Sequence, residues 1–238
     1  MPPPPACWAI CVRIRRASRR AATAAFTVTT PYTALLAGAT GLVGRECLRL
    51  LVADAACAEV RVLLRRPLPA ADRHPKVREC VVDFGRLAEH AEWFAVDEVF
   101  CALGTTIKVA GSQAAFRRVD HDYPLQIAEL AQSQGARGLH VVSALGANAR
   151  SSVFYNRVKG ELEDALKALR FASLTIAQPS LLLGERAEFR LGEEVAKRFA
   201  WLIPGPWRPV RAVQVAAGLV NAARAARPGV RVLGNTEL

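Results

Sequence analysis

Three polar side chains in the middle of the chain have the types and spacing needed for proton transfer. Tyr155 and Lys159 lie four residues apart in a segment with helical spacing, so they share one face of a helix. A phenol at its free pKa of about 10 is a poor base, and an ammonium one turn away favours the phenolate and lowers that pKa. Ser143 ends the preceding predicted strand, where its hydroxyl can hydrogen-bond a substrate oxygen. We predict that these residues exchange a proton with a carbonyl or alcohol; the alternative is a half-buried tyrosine beside a solvated lysine.

The element that must position such a group is a glycine-rich turn near the start of the chain. An apolar run at 34–37 is typical of a buried strand, and a segment with helical spacing begins at Leu42. Between them lie three glycines with the spacing G-x-x-G-x-x-G: Gly38, Gly41 and Gly44. Glycines let the backbone amides of a helix N-terminus approach a pyrophosphate, which the helix dipole also favours. With a second strand at 60–64, the pattern predicts a dinucleotide-binding unit; the alternative is a purely structural turn.

The end of the second predicted strand indicates which dinucleotide is preferred. An acidic residue there would hydrogen-bond a ribose 2′-hydroxyl, but this chain has Arg65 and Arg66. Guanidinium groups suit a 2′-phosphate, so we predict NADP(H) rather than NAD. The alternative is that the two arginines merely cap an exposed strand end.

Further candidate contacts follow the later strands. Asp83 and Phe84 follow the third strand and either contact adenine or form an acidic turn. Gly104 and the two threonines after it follow the fourth strand, at the edge of the sheet where ligands bind, and we expect them to face the nicotinamide ribose. The complete predicted set of cofactor-binding residues is Gly38, Thr40, Gly41, Leu42, Val43, Gly44, Arg65, Arg66, Asp83, Phe84, Leu103, Gly104, Thr105, Thr106, Tyr155, Lys159 and Pro179.

Strand and helix patterns alternate along the chain, which predicts an α/β fold. We expect a doubly wound, mostly parallel sheet with a small C-terminal substrate lobe around 184–212. Ser112 should cap one long helix running to about residue 134, with the polar residues 120–123 in its middle facing solvent. Ser151 or Ser152 should cap the helix that carries Tyr155.

Length and composition place further bounds on the chain. It has 238 residues and a net charge of +11, which suits one domain over 31–238 preceded by a basic, disordered or processed tail over 1–30. The tail holds five of the arginines and no acid, and the rest of the charge forms no basic stripe, so we disfavour nucleic-acid binding; the alternative is a nucleic-acid-associated protein that uses the arginine-rich tail. No apolar stretch has the length of a membrane span. The six cysteines show no disulfide framework and the four histidines no ligand spacing, so we expect a cytoplasmic protein without a metal site, or a mitochondrial one if the tail is a presequence.

Several longer segments, in the same order, resemble the short-chain dehydrogenase/reductase superfamily. The chain is most similar to its small atypical group of Tat-interacting-protein-like oxidoreductases and their bacterial relatives. The matching segments are GATGLVG (38–44), FCALGTTIKVAG (100–111), FRRVDHDYPL (116–125), VVSALGA (141–147), FYNRVKGELE (154–163) and PSLLLG (179–184). The resemblance implies an NADP(H)-binding Rossmann domain with Ser143, Tyr155 and Lys159 in the catalytic positions.

Two departures from the wider superfamily limit what the resemblance implies. Asp120 stands where many longer members have asparagine, which leaves its role open, and the short C-terminal part disfavours a sugar-nucleotide epimerase. We therefore expect an oxidoreductase acting on a small carbonyl or alcohol, as a monomer or homodimer. The alternative is a non-catalytic NADP(H)-binding protein that acts as a regulatory or redox-sensing partner.

Overall fold

A seven-stranded parallel sheet forms the centre of the molecule. The structure is a computed structural model that describes residues 31–183 and 208–238. In the described ranges the strands are β1 (Tyr32–Ala37), β2 (Cys57–Leu64), β3 (Val77–Val81), β4 (Glu98–Cys101), β5 (Gly138–Val142), β6 (Ser173–Ala177), β7 (Leu182–Leu183), β8 (Val210–Arg211) and β9 (Gly229–Leu233). The sheet has the order β3-β2-β1-β4-β5-β6-β9, and a separate two-stranded parallel pair joins β7 to β8. The order reverses between β1 and β4, which is where open α/β sheets bind ligands at the carboxyl ends of their strands.

Helices cover both faces of this sheet, so the predicted doubly wound α/β fold is confirmed. In the described ranges the α-helices are α1 (Leu42–Ala53), α2 (Ile107–Ala110), α3 (Gln113–Arg117), α4 (Tyr123–Ser133), α5 (Phe154–Ala168) and α6 (Ala212–Ala225). Two 3₁₀ segments lie at Ala70–Asp72 and Phe84–Phe94, the second of them kinked. In the described ranges, no helix has both the length and the apolar character needed to cross a membrane.

Two apolar layers fill the space between the sheet and its helices. One packs α4, α5 and the 3₁₀ segment 84–94 against the sheet, and the other packs α1 and α6 against the opposite face. The thiols of Cys47, Cys57, Cys80 and Cys101 are buried in these layers. Burial raises the pKa of the Cys47 thiol to about 12, so this side chain behaves as a small hydrophobe.

The single helix expected from Ser112 to about residue 134 is interrupted. Ser112 is the N-cap, as predicted, and its Oγ accepts from the amide of Ala115 at 3.1 Å. The helix then passes through one π-helical turn, Arg118–Asp122, before α4 begins. An extra residue in a helical turn rotates the following side chains by about 100°, and a local pattern of polar residues does not reveal it. The short helix α2, absent from the sequence-based expectation, is capped by Thr106.

Two predicted segments, the basic tail and the C-terminal lobe, lie wholly or mostly outside the residues that the structure describes. Residues 1–30 and 184–207 are not described, so the predicted tail and most of the predicted lobe remain predictions. The residues on either side of segment 184–207 are in contact. β7 pairs with β8, and the amide of Val210 donates to the carbonyl of Leu181 at 3.0 Å. The predicted cap of α5 was wrong: Val153 is the N-cap residue, and Ser151 instead accepts from the Val153 amide at 3.1 Å.

A buried carboxylate joins three elements at the amino-terminal edge of the sheet. Asp54 follows α1 and accepts from the Tyr32 hydroxyl of β1 at 2.9 Å and from Arg224 Nε of α6 at 2.8 Å. It also accepts from the amide of Ala56 at 3.0 Å. Burial alone would raise the pKa of Asp54, but these hydrogen bonds hold the pKa below its usual value. The ionised carboxylate therefore stabilises the folded state.

A close backbone contact fixes α5 against the loop that follows β5. Gly160 lies in the middle of α5, and a Cβ atom there would lie 2.1 Å from the Ala149 nitrogen and 2.2 Å from the Asn148 carbonyl carbon. The amide of Asn148 also donates to the carbonyl of Asn156 at 2.9 Å. Only a residue without a side chain lets the helix carrying Tyr155 pack this closely on the loop that begins at Ser143.

The Asp54 cluster gives a prediction for the pH dependence of stability. Arg224→Ala should lower the free energy of unfolding by about 1–2 kcal/mol near neutral pH, because a buried carboxylate loses its charged donor. A group whose folded-state pKa is lowered stabilises the protein above its unfolded pKa and loses that effect as the pH falls. The difference from the wild type should therefore shrink below about pH 4. Urea unfolding at several pH values measures it. Arg49→Ala, which removes an exposed pair with Glu46, is the control and should change the free energy by less than about 0.5 kcal/mol.

The contact at Gly160 gives a second prediction. Gly160→Ala should destabilise the protein by about 1–3 kcal/mol, because backbone atoms of the β5 loop cannot move away cheaply. Gly218→Ala is the matched control in α6, where the new methyl would meet only the ends of the Leu238 and Leu233 side chains. Helix propensity should leave Gly218→Ala equal to the wild type or up to about 1 kcal/mol more stable. Equal effects of the two variants on the urea midpoint would contradict the proposed packing role of Gly160.

Candidate active site

The glycine turn after β1 is shaped first by the packing of the protein on itself. Gly38 has a φ of +86°, and a Cβ there would lie 2.5 Å from the Ala102 carbonyl oxygen at the end of β4. A Cβ on Gly44 would lie 2.0 Å from the Gly38 carbonyl oxygen. These two glycines therefore let β1, α1 and the end of β4 come together, whatever is bound there.

The third glycine of the turn lies at the start of α1, where a ligand could approach. Gly41 is the N-cap residue; no side chain caps the helix, and its first turn holds no acidic residue. A Cβ on Gly41 would meet only the Gly38 carbonyl oxygen, at 3.3 Å. The helix α1 has 12 residues, and its uncapped N-terminus lies where the strand order reverses. Such a terminus suits an anion such as a diphosphate. The neighbouring predicted contacts fit the same site: Thr40 is exposed, Leu42 half-buried and Val43 buried.

A cleft of about 640 Å³ lies beyond the ends of β2 and β3. Its lining includes Arg65, Asp83 and Phe84, all predicted contacts of the adenosine end of the cofactor. Asp83 also caps the following 3₁₀ segment by accepting from the Gly85 amide at 2.8 Å, so it forms the alternative acidic turn as well. Arg66 is exposed and does not line this cleft.

Two residues of this cleft were missed by the sequence analysis. Arg118 lies in the π-helical turn, and Tyr123 begins α4. The Tyr123 ring packs against the Phe84 ring with 5.5 Å between centroids. Both residues come from a helix more than thirty positions after Phe84, so only the folded chain brings them to the cleft.

The loop after β4 holds the next group of predicted cofactor contacts. The amide of Thr105 donates to Asp120 Oδ2 at 2.8 Å, and Thr106 Oγ1 caps α2 by accepting from the Val109 amide at 3.2 Å. Leu103 packs against the apolar layer that contains α5, and Gly104 is exposed beside Asp120. Beyond β6, the predicted contact Pro179 is buried, and its carbonyl accepts from the amide of Leu145 at 2.9 Å.

A buried ion pair joins this loop to α5. Lys159 Nζ lies 2.8 Å from Asp120 Oδ1, and the two residues are only 3% and 1% exposed. The expectation that Asp120 faces solvent was therefore wrong. Asp120 lies in the π-helical turn, four residues after the buried Phe116, and its side chain contacts the ammonium of Lys159 and the amide of Thr105.

Tyr155 lies one turn before Lys159 on α5, as its spacing predicts. Its ring packs against the buried ring of Phe116 with 5.5 Å between centroids, and no described residue hydrogen-bonds its hydroxyl. The expected lowering of the Tyr155 pKa was wrong in its net direction. Burial raises the pKa, the Lys159 ammonium opposes this rise, and the Asp120 carboxylate adds to it.

Ser143 lies directly after β5 and is buried against the same helix. Its Oγ donates to Glu163 Oε1 at 2.5 Å. Gln178 Nε2 donates to both oxygens of the same carboxylate, at 2.8 and 3.0 Å. Glu163 was missed by the sequence analysis, although its position four residues after Lys159 places it on the same helical face. The arrangement leaves the Ser143 oxygen with lone pairs but no free hydrogen.

The chain resembles known proteins over most of the described range. A family profile described as NAD(P)H-binding matches residues 38–182, more than half of the chain. Protein HTATIP2 from Rattus norvegicus is 38% identical over 180 residues, which cover 75% of this chain and 74% of that protein. The mitochondrial protein fmp52 from Emericella nidulans is 35% identical over 170 residues, 69% of this chain and 73% of that protein.

Solved structures show the same fold at low sequence identity. MoeE5 in complex with UDP-glucose and NAD superposes with a TM-score of 0.66 at 16% identity, covering 84% of this chain and 75% of that one. UDP-glucose 4-epimerase from Thermotoga maritima superposes with a TM-score of 0.64 at 14% identity, covering 85% and 76%. Together with the glycine turn and the strand order, these similarities identify the chain as a member of the NAD(P)H-binding Rossmann family of atypical short-chain dehydrogenases/reductases.

Proposed function

We propose that this protein is an NADP(H)-dependent oxidoreductase that acts on a small carbonyl or alcohol, with Tyr155 as the proton-exchanging residue. The observation that carries the proposal is the position of Tyr155, one turn from Lys159 on α5. Lys159 is linked through Asp120 to the Thr105 amide, in the loop where the cofactor's nicotinamide end is expected. Tyr155 and the loop after β4, which we expect to bind the nicotinamide, therefore lie at the same ends of the strands.

The protein's own residues have separable tasks in this reaction. The bound nicotinamide supplies or accepts the hydride. Tyr155 gives a proton to, or takes one from, the substrate oxygen, and its phenol is held in place by Phe116. Lys159 and Asp120 set the charge beside that phenol, and Ser143, with its hydrogen held by Glu163, offers an acceptor to a substrate hydroxyl. The Gly41 amide cradle at the start of α1 holds the diphosphate.

The preference for NADP(H) over NAD(H) is supported by two guanidinium groups in one cleft. Arg65 and Arg118 line the cleft with Phe84 and Tyr123, whose packed rings offer an apolar surface beside which an adenine can lie. A 2′-phosphate on the adenosine ribose would meet two permanent positive charges there, whereas a 2′-hydroxyl would gain far less from them.

A second candidate function is supported by the state of the catalytic group. The hydrogen of Ser143 is engaged by Glu163, the charge of Lys159 is balanced by Asp120, and the pKa of Tyr155 is raised. A regulatory or redox-sensing protein that binds NADP(H) without turnover would tolerate all three features. Turnover by the wild type, lost on removal of the Tyr155 hydroxyl, separates the two functions.

The substrate, the oligomeric state and the location of the protein complete the proposal. We propose a small-molecule substrate, a monomeric or homodimeric state and a cytoplasmic location. A mitochondrial location is the alternative, and the word "mitochondrial" in the names of the FMP52 relatives supports it.

The proton-exchange role predicts the behaviour of Tyr155→Phe. The variant should lose at least about 100-fold in the rate of NADPH oxidation with a panel of aldehydes and ketones, because it lacks the hydroxyl proposed to donate the proton. Its NADPH affinity, measured by fluorescence titration, should stay within about threefold of the wild type, because the phosphates and adenine bind elsewhere. Turnover at the wild-type rate would rule out the assignment of Tyr155.

The cleft predicts how the two arginines contribute to cofactor choice. Arg65→Ala and Arg118→Ala should each weaken NADPH binding by about tenfold or more, and NADH binding by less than about threefold, because each removes a charge-assisted contact to the 2′-phosphate. Calorimetric titration with both cofactors measures this. Arg137→Ala, an exposed arginine at the opposite edge of the sheet, is the control for overall charge. Equal losses for NADPH and NADH would contradict the assignment.

A further inference from the structure

The two charges that act on the Tyr155 phenol, Lys159 and Asp120, form an ion pair with each other. Both residues are buried, with 2.8 Å between Nζ and Oδ1. The second oxygen of Asp120 accepts from the Thr105 amide, which fixes the carboxylate in one orientation. Lys159, one helical turn after Tyr155, therefore acts on the phenol as one half of a neutral pair.

An ammonium stabilises a nearby phenolate only to the extent that its charge is not balanced. Among the described residues, the Tyr155 hydroxyl has no hydrogen-bond donor that would stabilise its anion, and the ring is packed against Phe116. Burial, the largest cause, raises the pKa of Tyr155, and Asp120 adds to that rise while Lys159 opposes it. The geometry and the charges thus favour the neutral phenol.

The other titratable groups around the pair do not change this balance. On β4, Cys101 faces both Lys159 and Asp120, and burial raises the pKa of its thiol to about 11, so it stays neutral. On α5, Glu163 is engaged by Ser143 and Gln178. In the π-helical turn, His121 contacts Asp122, whose side chain is exposed.

We propose that Asp120 is a positioning residue that keeps Tyr155 protonated well into the alkaline range, so that the proton needed for carbonyl reduction is present on the phenol. The inference rests on the proposed function. In the reductive direction, the substrate carbon gains the hydride that NADPH supplies, and the electron pair of its C=O bond moves to the oxygen. That oxygen takes the proton of the Tyr155 hydroxyl, and the resulting tyrosinate recovers a proton from solvent.

The test follows the ionisation of Tyr155 directly, by the ultraviolet absorbance of tyrosinate as a function of pH. The signal of Tyr155 is the difference between a protein and the same protein carrying Tyr155→Phe, which removes the contributions of Tyr32 and Tyr123. Asp120→Asn keeps an acceptor for the Thr105 amide but removes the charge. It should lower the pH of Tyr155 ionisation by about one unit or more, a tenfold change in the ionisation constant. Asp122→Asn, two positions away and exposed, is the matched control and should leave it unchanged.

A second variant keeps the proposal testable if Asp120→Asn does not fold. Asp120→Asn combined with Lys159→Met replaces a buried ion pair by neutral side chains, which proteins often tolerate. Because the pair is proposed to be nearly neutral in its effect, the ionisation of Tyr155 should stay within about half a unit of the wild type. An unchanged ionisation in Asp120→Asn, or a rise of more than about one unit in the double variant, would overturn the proposal.

The titration needs no substrate, so its outcome is independent of the proposed function. The second readout is the pH profile of NADPH-dependent 4-nitrobenzaldehyde reduction, whose rate should fall at high pH as Tyr155 ionises. Asp120→Asn should move this fall to lower pH by about one unit relative to the wild type. If Tyr155 ionises as expected but the wild type turns over neither 4-nitrobenzaldehyde nor any member of the carbonyl panel, the effect of Asp120 on Tyr155 stands and the proposed oxidoreductase function fails.

Discussion

The ion pair between Lys159 and Asp120 is the interaction on which the arrangement of the site depends. Neither charge could be buried alone, because an unpaired buried ion costs about 3–5 kcal/mol. The pair therefore requires the π-helical turn and α5 to be in place together, and the Thr105 hydrogen bond adds the loop after β4 to the same unit. It follows that the loop after β4 and the helix α5 are joined through Asp120, so a displacement of either one would disturb the other.

Close packing of the backbone brings these charged groups within hydrogen-bonding distance of their partners. Gly160 lets α5 approach the loop after β5, and the Gly38–Gly44 contact does the same for α1 and β1. With the helices held so near the strand ends, the short reach from Ser143 to Glu163 and from Lys159 to Asp120 can be bridged by single hydrogen bonds. The opposite edge of the sheet uses the same principle, since Asp54 links α1, β1 and α6 there. Buried carboxylates thus join elements at both ends of the strands, Asp54 at the amino-terminal ends and Asp120 with Glu163 at the carboxyl ends.

The local elements could be predicted from the sequence because they depend on local patterns. The strand ends in the structure lie within a few residues of the apolar runs, and the spacing of Tyr155 and Lys159 on one helical face is as expected. The errors share a different cause. The burial of Asp120, the contact of Glu163 with Ser143 and the place of Arg118 in the cleft all depend on partners at least fifteen residues away in the chain. Asp120 lies four residues after the buried Phe116, but only the folded chain shows the ammonium and the amide that allow a carboxylate to be buried there.

The same long-range contacts change what each predicted catalytic residue can do. From spacing alone, the hydroxyls of Ser143 and Tyr155 could each donate a hydrogen bond to a substrate oxygen or accept one from it. In the folded chain, the Ser143 hydrogen is directed to Glu163, so Ser143 can accept a hydrogen bond from a substrate but cannot donate one without turning away. The charge of Lys159 is balanced by Asp120, which leaves the Tyr155 hydroxyl as the member of the group that is free to donate. A carbonyl oxygen needs a donor, so the two buried carboxylates, rather than the three residues first recognised, decide which substrate oxygen the site favours.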